Sequence, residues 1–201
     1  MGLLSSSASF VRFSVEGEMP ANFWDFAAER IAGHAFRDID DSYEEHSIGW
    51  VSIMNMFDSE FAYASYAAGD YIALAMRMDD RKVAPAVLKK FCQKEEERLK
   101  KERQIPKLSR GQKLEIKENM NLMLIKKAVP VPSVYDMCWN LADNTVLFFS
   151  TSAKAQASFE DLFKETFDLH LILQVPFLAA GKLIDPDLED RLADMGPTIL
   201  L

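Results

Sequence analysis

A charged helical hairpin is predicted by residues 82–127, which read KVAPAVLKKFCQKEEERLKKERQIPKLSRGQKLEIKENMNLMLIKK. Pro85 stands where the first turn of a helix tolerates proline, because the amide that proline lacks would have no partner there. Apolar residues then recur at spacings close to one helical face: Val87, Leu88, Phe91, Cys92 and Leu99. The pattern predicts a first helix over residues 85–103.

The first predicted helix ends near Pro106, and a second predicted helix begins near Ser109. Pro106 cannot supply a helical amide and pushes Ile105 out of the helical region. Ser109 followed by Gln112 has the spacing of a capping box, in which the two side chains satisfy free backbone amides. A second helix is therefore predicted to run to about residue 127. Its apolar stripe is Ile116, Met120, Met123, Leu124 and Ala128.

Charge separates this hairpin from the rest of the chain. Of the 23 basic and 31 acidic residues, fourteen Lys or Arg and six Glu fall in 82–127, giving it a net charge of +8 and the remainder −16. Two pairs spaced i,i+4 predict a solvated outer face on the first helix: Glu96 with Lys100 and Glu97 with Lys101. Two interpretations stay open. The hairpin is a solvated arm that pairs with another protein, or it contacts a polyanion, since Lys and Arg gain affinity by releasing counterions from phosphates.

The composition of the whole chain limits the function classes. With 201 residues, 49% of them apolar, we expect one packed core or a core with an inserted subdomain. A net charge of −8 argues against general coating by nucleic acid or anionic lipid, so any such contact must be local. Cys92 and Cys138 resemble the core thiols of a reducing compartment more than a disulfide. Without a membrane-length apolar run or a secretory signal, we expect a cytoplasmic protein with no membrane partner.

Outside the hairpin, strand and helix patterns mix without a regular βαβ rhythm. This predicts an α+β fold with a mixed, mainly antiparallel sheet, packed helices and an inserted charged helical hairpin. Strands are predicted at 10–15, 36–39, 46–54, 61–67, 71–78, 134–140, 145–149 and 169–175, helices at 21–33 and 152–165, and a short helix or turn at 177–183. A final helix is predicted from Asp185-Pro186 to Gly196, before a frayed tail at 198–201. The predicted organisation is a central domain 1–81 and 128–183, an inserted basic hairpin 82–127, and a C-terminal helix and tail 184–201.

Residues that could carry catalysis are few and scattered. The histidines fall on separate predicted elements: His34, His46 and His170. Neither an HExxH pair nor a zinc-type cysteine spacing occurs. The acid pairs Asp38 with Asp40 and Asp185 with Asp187 could hold Mg²⁺ for nuclease chemistry, although Asp185 is also explained as a helix cap. We predict no catalytic residue, no metal site and no cofactor, and keep a Mg²⁺-dependent nuclease as an alternative.

Several different short motifs follow one another along the chain in a distinctive order. They are a strand and helix near 10–31, Gly49-Trp50-Val51, a strand at 71–78 leading into Lys89-Lys90-Phe91, a hairpin at Trp139, Thr151-Ser152-Ala153-Lys154-Ala155, and residues 173–176. This order resembles the RdgC family of bacterial recombination-associated proteins over roughly residues 8–182. None of the motifs is catalytic, so the resemblance depends on their order and spacing.

The resemblance implies a non-enzymatic, ring-like homodimer that encircles duplex DNA without sequence preference and restrains recombinase filaments. The helical excursion would be the tip that meets its counterpart. Family members usually continue well beyond residues 185–201 and carry aromatic and basic residues at the junction of tip and sheet. Here the junction has Lys126 and Lys127, followed by Val129-Pro130-Val131-Pro132. We therefore expect a shortened, nucleoid-associated member whose partners are double-stranded DNA, a second copy or higher oligomer, and a recombinase.

Basic residues of the hairpin are the predicted phosphate contacts. A two-helix arm of this length projects roughly 25–30 Å, so its tip suits a subunit contact while its root lies beside the sheet. We expect Lys126 and Lys127 at the root to contact DNA, and Lys107 and Arg110 near the tip to act mainly in association. The full predicted set is Lys89, Lys90, Lys94, Lys100, Lys101, Arg103, Lys107, Arg110, Lys113, Lys126 and Lys127.

Overall fold

The computed structural model describes residues 2–181, 183–188, 190–191, 194 and 196. The fold is α+β, as the mixed sequence pattern predicts. The strands are Val11–Glu16 (β1), His46–Val51 (β2), Ala67–Ala68 (β3), Tyr71–Arg81 (β4), Pro130–Asn140 (β5), Thr145–Phe148 (β6) and His170–Leu173 (β7). The helices are Phe23–Gly33 (α1), Pro85–Arg103 (α2), Arg110–Ile125 (α3), Ala153–Phe167 (α4) and Pro176–Gly181 (α5), with short 3₁₀ turns at Ala62–Ala64 and Pro186–Leu188.

The strands form a sheet in the order β2-β4-β5-β6-β1-β7, and β3 pairs with β4. β1 runs antiparallel to β6 on one side and to β7 on the other, so that Phe13 lies opposite both Val146 and Leu173. β5 is antiparallel to β6 and brings Trp139 opposite Val146. The prediction of a mainly antiparallel sheet is confirmed.

The chain divides into two units. The first comprises Met1–Ala35, Trp50–Met76 and Tyr135–Leu201, and the second comprises Phe36–Gly49 and Arg77–Val134. Three of the four boundaries fall within strands β2, β4 and β5, and the fourth falls between Ala35 and Phe36, outside any strand. The first unit holds α1 and α4, and the second holds α2 and α3.

Aromatic side chains form the core of the first unit. Helix α4 buries one face because its inward residues recur at helical spacing: Ala155, Phe159, Leu162, Phe163, Thr166 and Phe167. Phe159 stacks on Phe148 with ring centroids 4.2 Å apart. Trp139 meets Phe163 and Phe167 edge-on, with 5.1 Å between centroids in each pair. Burying one such side chain contributes about 1.5–3 kcal/mol, so this cluster supplies a large part of the apolar stabilisation of the unit.

The indole of Trp50 is fully buried and therefore needs a hydrogen-bond partner. Its Nε1 donates to the Thr166 hydroxyl at 2.8 Å, and that hydroxyl donates to the Leu162 carbonyl at 2.7 Å. Thr166 thus supplies a polar partner from the otherwise apolar face of α4. Trp139 is also fully buried, and its Nε1 has no hydrogen-bond partner among the described residues.

Two segments predicted as strands have other structures. Residues 36–39 are irregular, and the neighbouring Ala35 makes an isolated parallel bridge to Trp50. Residues 61–66 contain a 3₁₀ turn instead of a strand. Left-handed φ values occur there at Phe61 (53°), Tyr63 (57°) and Ala64 (52°). The strand prediction at 36–39 is wrong, and the one at 61–67 holds only at its end, where Ala67 pairs with Ile72 of β4, because a short apolar run does not by itself distinguish a strand from a packed loop.

Other boundaries differ by a few residues. β2 ends at Val51 because Ser52 begins a turn, in which its amide donates to the Asp58 carbonyl at 2.8 Å. β4 extends through Arg81 and β5 begins at Pro130, so both strands are longer than predicted. The C-terminal helix predicted from Asp185 begins as the 3₁₀ turn Pro186–Leu188, and the predicted tail 198–201 lies outside the described residues.

No helix in the described ranges combines the length and apolar composition that crossing a membrane requires.

Replacing Thr166 with Val is expected to lower the free energy of unfolding by about 1–3 kcal/mol, because the buried Trp50 indole N–H loses its acceptor. Thr166→Ser keeps the hydroxyl and serves as the matched control, with a clearly smaller loss. Urea denaturation followed by tryptophan fluorescence measures both variants. A Val variant as stable as the wild type would contradict the structural role of this hydrogen bond.

Candidate nucleic-acid interface

Helix α2 has the bounds that the sequence predicts, from Pro85 to Arg103. Pro85 occupies the first turn, where its missing amide costs no hydrogen bond. The helix ends at Gln104, which adopts a left-handed φ of 52° and donates its amide to carbonyls of the last turn. That last turn carries three basic residues, which interact favourably with the negative end of the helix dipole.

Helix α3 begins at the predicted capping box. The Gln112 amide donates to the Ser109 hydroxyl at 3.2 Å, and the Ser109 amide donates to the Gln112 side-chain oxygen at 2.9 Å. The capping-box prediction is therefore confirmed. The helix ends at Ile125, two residues before the predicted limit, with Lys126 as its C-cap. An N-cap of this kind contributes about 0.5–2 kcal/mol, so the box stabilises the turn between the two helices.

The two helices pack against each other around a small apolar core. Leu108 and Ile116 are buried there, whereas none of the side chains of α2 is fully buried. Leu114 and Leu122 of α3 are exposed. The hairpin therefore presents most of its side chains, and nearly all of its charges, to solvent.

Arg98 lies between two glutamates on α2. Its guanidinium contacts the Glu95 carboxylate at 2.6 Å and the Glu102 carboxylate at 2.8 Å. The hydrogen bond from Arg98 lowers the pKa of Glu95, and the same bond raises the pKa of Arg98. Arg98 is thus neutralised within its own helix, and we expect no phosphate contact from it.

Two of the predicted phosphate contacts are also engaged by glutamates. Lys100 Nζ lies 3.0 Å from the Glu97 carboxylate, and Lys113 Nζ on α3 lies 3.4 Å from the Glu96 carboxylate on α2. The predicted pair of Glu96 with Lys100 is therefore wrong, whereas Glu97 contacts Lys100 and its pKa is lowered first by that hydrogen bond and, less strongly, by the charge of Lys101. The physical reason is that Glu96 pairs across the hairpin, which leaves Lys100 to pair one residue closer along α2.

The other nine residues of the predicted set are exposed and make no ion pair within the described part of the chain: Lys89, Lys90, Lys94, Lys101, Arg103, Lys107, Arg110, Lys126 and Lys127. Lys90, Lys94 and Lys101 lie within about 40° of one another around the helix axis, given 3.6 residues per turn. These three residues form a basic ridge on the side of α2 that faces away from half-buried Leu88 and Leu99.

Arg81 anchors the root of the hairpin, where the chain enters α2 and leaves α3. The side chain is buried, with 7% of the residue exposed. Its guanidinium donates to the backbone carbonyls of Ile39, Asp40, Ser42, Glu44 and Ala128. No carboxylate pairs with it among the described residues, so carbonyl dipoles stabilise the charge. Because Ala128 directly follows Lys126 and Lys127, this network fixes the backbone beside the two root lysines.

A second buried arginine lies on the same face of β4. Arg77 makes a bidentate pair with Asp79, at 2.8 and 2.6 Å, and its guanidinium lies 4.1 Å from the centroid of the Phe36 ring. The hydrogen bond to Asp79 raises the pKa of Arg77. Sequence reasoning missed these residues. The available signal was the alternation of Arg77, Asp79 and Arg81 in an apolar strand, since every second residue shares one face.

Asp38, one of the acidic residues considered for a metal site, has other contacts. Asp38 accepts the amide of Asp40 at 2.7 Å, and its carboxylate lies 3.8 Å from the Arg77 guanidinium. His46 Nδ1 lies 2.6 Å from Asp80. In the described ranges, no group of three His, Cys, Asp or Glu has an arrangement that could hold a metal ion.

A family model described as "Putative exonuclease, RdgC" matches residues 11–178 of this chain. The chain belongs to the RdgC family. The match extends from the first residue of β1 into α5 and includes the whole α2–α3 hairpin, so the resemblance predicted from motif order is confirmed. No curated protein matches the sequence.

In this RdgC-family protein, replacing Arg81 with Met is expected to lower the free energy of unfolding by about 2–4 kcal/mol. Hydrogen bonds from a charged donor contribute about 1.5–3 kcal/mol each, and the desolvation cost of the buried charge offsets part of that sum. Lys82→Met is the matched control, because the neighbouring Lys82 side chain is 69% exposed and its ion pair with Asp80 contributes at most about 1 kcal/mol. Equal losses in the two variants by urea denaturation would contradict the anchoring role of Arg81.

Proposed function

We propose that this RdgC-family protein binds double-stranded DNA without sequence preference through the α2–α3 hairpin, residues 82–127. The main support is the surplus of exposed basic residues on one hairpin that make no ion pair with the described residues, in a protein whose net charge is −8. As the resemblance implies, the protein would modulate homologous recombination by restraining recombinase filaments. It would act as a homodimer or higher oligomer in the cytoplasm, at the nucleoid.

The ridge of Lys90, Lys94 and Lys101 suits a polyanion with regularly spaced charges. From its first to its last residue it covers about 16 Å of helix axis, which corresponds to about five base pairs of duplex. Each phosphate that a lysine neutralises releases condensed counterions, and this gain does not depend on base sequence. Contact with the phosphate backbone alone therefore accounts for binding without sequence preference.

The acidic remainder of the chain restricts where DNA can bind. Outside residues 82–127 the net charge is −16. Exposed charges interact over a Debye length of about 8–10 Å at physiological salt, so DNA that approaches these acidic surfaces is repelled. The charge distribution thus favours a local contact with the hairpin over a broad contact with the whole surface.

Within the hairpin, we assign the DNA contact chiefly to the root lysines, Lys126 and Lys127. They are exposed, make no ion pair with any described residue, and lie directly before Ala128, whose carbonyl accepts a hydrogen bond from buried Arg81. A fixed backbone reduces the entropy lost when these side chains bind phosphate. We assign Lys107 and Arg110, near the turn between the helices, to association between copies.

An exonuclease is the second candidate function, because the printed description of the family names one. It would use Mg²⁺ held by Asp38 with Asp40 or by Asp185 with Asp187. The contacts of Asp38 with the Asp40 amide and with Arg77 favour DNA binding over this alternative. Incubating duplex DNA with Mg²⁺ or Mn²⁺ tests it. Cleavage that is lost in Asp38→Asn or Asp185→Asn would favour the nuclease.

Changing Lys126 and Lys127 to Glu is expected to weaken binding to a short duplex about 10- to 100-fold at low salt, because two phosphate contacts are replaced by repulsion. The mass of the protein should not change. The matched control is Lys154→Glu with Lys164→Glu, which makes the same change of charge at exposed positions of α4 and should weaken binding by less than about threefold. Fluorescence anisotropy of labelled duplex measures affinity, and light scattering measures mass.

The tip variant, Lys107→Glu with Arg110→Glu, separates DNA contact from association. It is expected to change the mass more than the affinity for DNA. The opposite pattern, in which the tip variant loses DNA and the root variant loses assembly, would contradict our assignment. No duplex binding by the wild type at low salt, together with a concentration-dependent complex, would favour an interaction module that does not bind DNA.

A further inference from the structure

A groove runs between α2 and α3 on one side of the hairpin, within the second unit, and has a volume of about 620 Å³. Its wall on α2 has residues at positions i, i+4, i+7 and i+11: Pro85, Lys89, Cys92 and Glu96. At 3.6 residues per turn these positions lie within about 60° of one another and form a straight stripe about 16 Å long. Residues of α3 form the other wall. We call this feature the α2–α3 groove.

The α2–α3 groove has an apolar floor that the hairpin itself does not cover. Val83, Leu88 and Cys92 line the groove and are only half-buried. Helix α2, all of which is described, has no fully buried side chain, and on α3 only Ile116 is buried. A helix of a packed bundle buries an apolar stripe against its neighbours. The two helices therefore present a surface of the kind on which a third helix packs.

Basic side chains stand along the rim of the α2–α3 groove. Its lining residues carry three positive charges and one negative charge, on Lys89, Lys113, Lys117 and Glu96. Lys113 Nζ lies 3.4 Å from the Glu96 carboxylate, so these two charges compensate each other. Lys89 and Lys117 are exposed and make no ion pair with any described residue. The rim therefore complements a partner that carries acidic residues.

We propose that the α2–α3 groove binds an acidic amphipathic helix of another protein. Its apolar residues would pack on Val83, Leu88 and Cys92, and its carboxylates would lie beside Lys89 and Lys117. Recognition of a helix in a groove uses apolar anchors at i, i+3, i+4 and i+7, which span about 10 Å and fit within the 16 Å stripe.

The chemistry of the groove favours a protein helix over the other possible occupants. Nucleic acid is disfavoured at the floor, because a phosphate taken out of water there would have only carbon and sulfur atoms as neighbours. A second copy that presented the same face would set lysine against lysine, and like charges repel. The groove is also open, whereas a small-molecule site encloses most of its ligand.

The proposed helix site is distinct from the basic ridge and does not rest on DNA binding. Lys90 and Lys94 of the ridge lie more than about 90° around α2 from the stripe of the groove. Substitutions on the ridge therefore change the charge of the same helix without touching the lining of the groove. This separation supplies a matched control for the rim lysines.

A synthetic peptide tests whether the groove prefers an amphipathic helix. The probe is a fluorescein-labelled peptide of about 18 residues, with leucines along one helical face and glutamates on either side of them. Anisotropy without DNA should show binding at least about tenfold tighter than that of a peptide with the same composition in scrambled order, which has no apolar face. Equal binding of the two peptides, or binding of neither at about 100 µM, would overturn the proposal.

A charge swap tests the rim. Lys89→Glu with Lys117→Glu should weaken binding of the glutamate peptide at least about tenfold, and should strengthen binding of a peptide with lysine at each glutamate position. The matched control, Lys90→Glu with Lys94→Glu, makes the same change of charge on the ridge and should change the affinity less than about threefold. Equal losses in the two variants would overturn the assignment to the groove, because general charge attraction would then explain binding.

Cys92 reports directly whether the α2–α3 groove is occupied. In a Cys138→Ala chain, saturating glutamate peptide should slow alkylation of Cys92 by N-ethylmaleimide at least about fivefold, because thiol reactivity depends on access. An unchanged rate would overturn the proposal. A rate that falls with protein concentration in the absence of peptide would also overturn it, since a second copy would then cover the groove. These readouts contain no DNA, so their failure is distinct from failure of the proposed function.

Discussion

The root of the hairpin depends on one buried guanidinium. Arg81 has no carboxylate partner in the described ranges and donates instead to backbone carbonyls of residues 39–44 and of Ala128. Taking a charge out of water costs several kcal/mol unless dipoles compensate, so these carbonyls must stay in place while Arg81 is buried. The hairpin starts just after Arg81 and ends just before Ala128. The Arg81 side chain therefore holds the two ends of the hairpin together.

Ion pairing within the hairpin decides which positive charges remain available to a partner. Glutamates neutralise Arg98, Lys100 and Lys113, and these basic residues would lose existing contacts on binding phosphate. The ridge of Lys90, Lys94 and Lys101 and the root lysines carry no such pairs in the described part of the chain. Surface ion pairs contribute little to stability, so leaving these lysines without an ion pair costs the fold little.

Features with local signals could be predicted from the sequence, and features with distant partners could not. Pro85 and the Ser109 capping box act on backbone groups within a few residues, so α2 and α3 agree with prediction to within two residues. Arg81 was missed because its acceptors lie more than thirty residues away in sequence. The strand predicted at 36–39 failed for a related reason, since the Ile39 carbonyl accepts from Arg81 instead of joining a strand ladder. The nine unpaired basic residues were named from composition, but only the geometry separates them from Lys100 and Lys113.

The salt dependence of duplex binding by the wild-type protein is the most direct test of the claim that unpaired lysines contact phosphates. The logarithm of the binding constant should fall linearly with the logarithm of salt concentration, with a slope of about −3 to −5 if three to six phosphates are neutralised. The slope should be the same for duplexes of unrelated sequence. Affinity that is unchanged between about 50 and 200 mM salt would contradict the claim, because phosphate contacts cannot be independent of counterions.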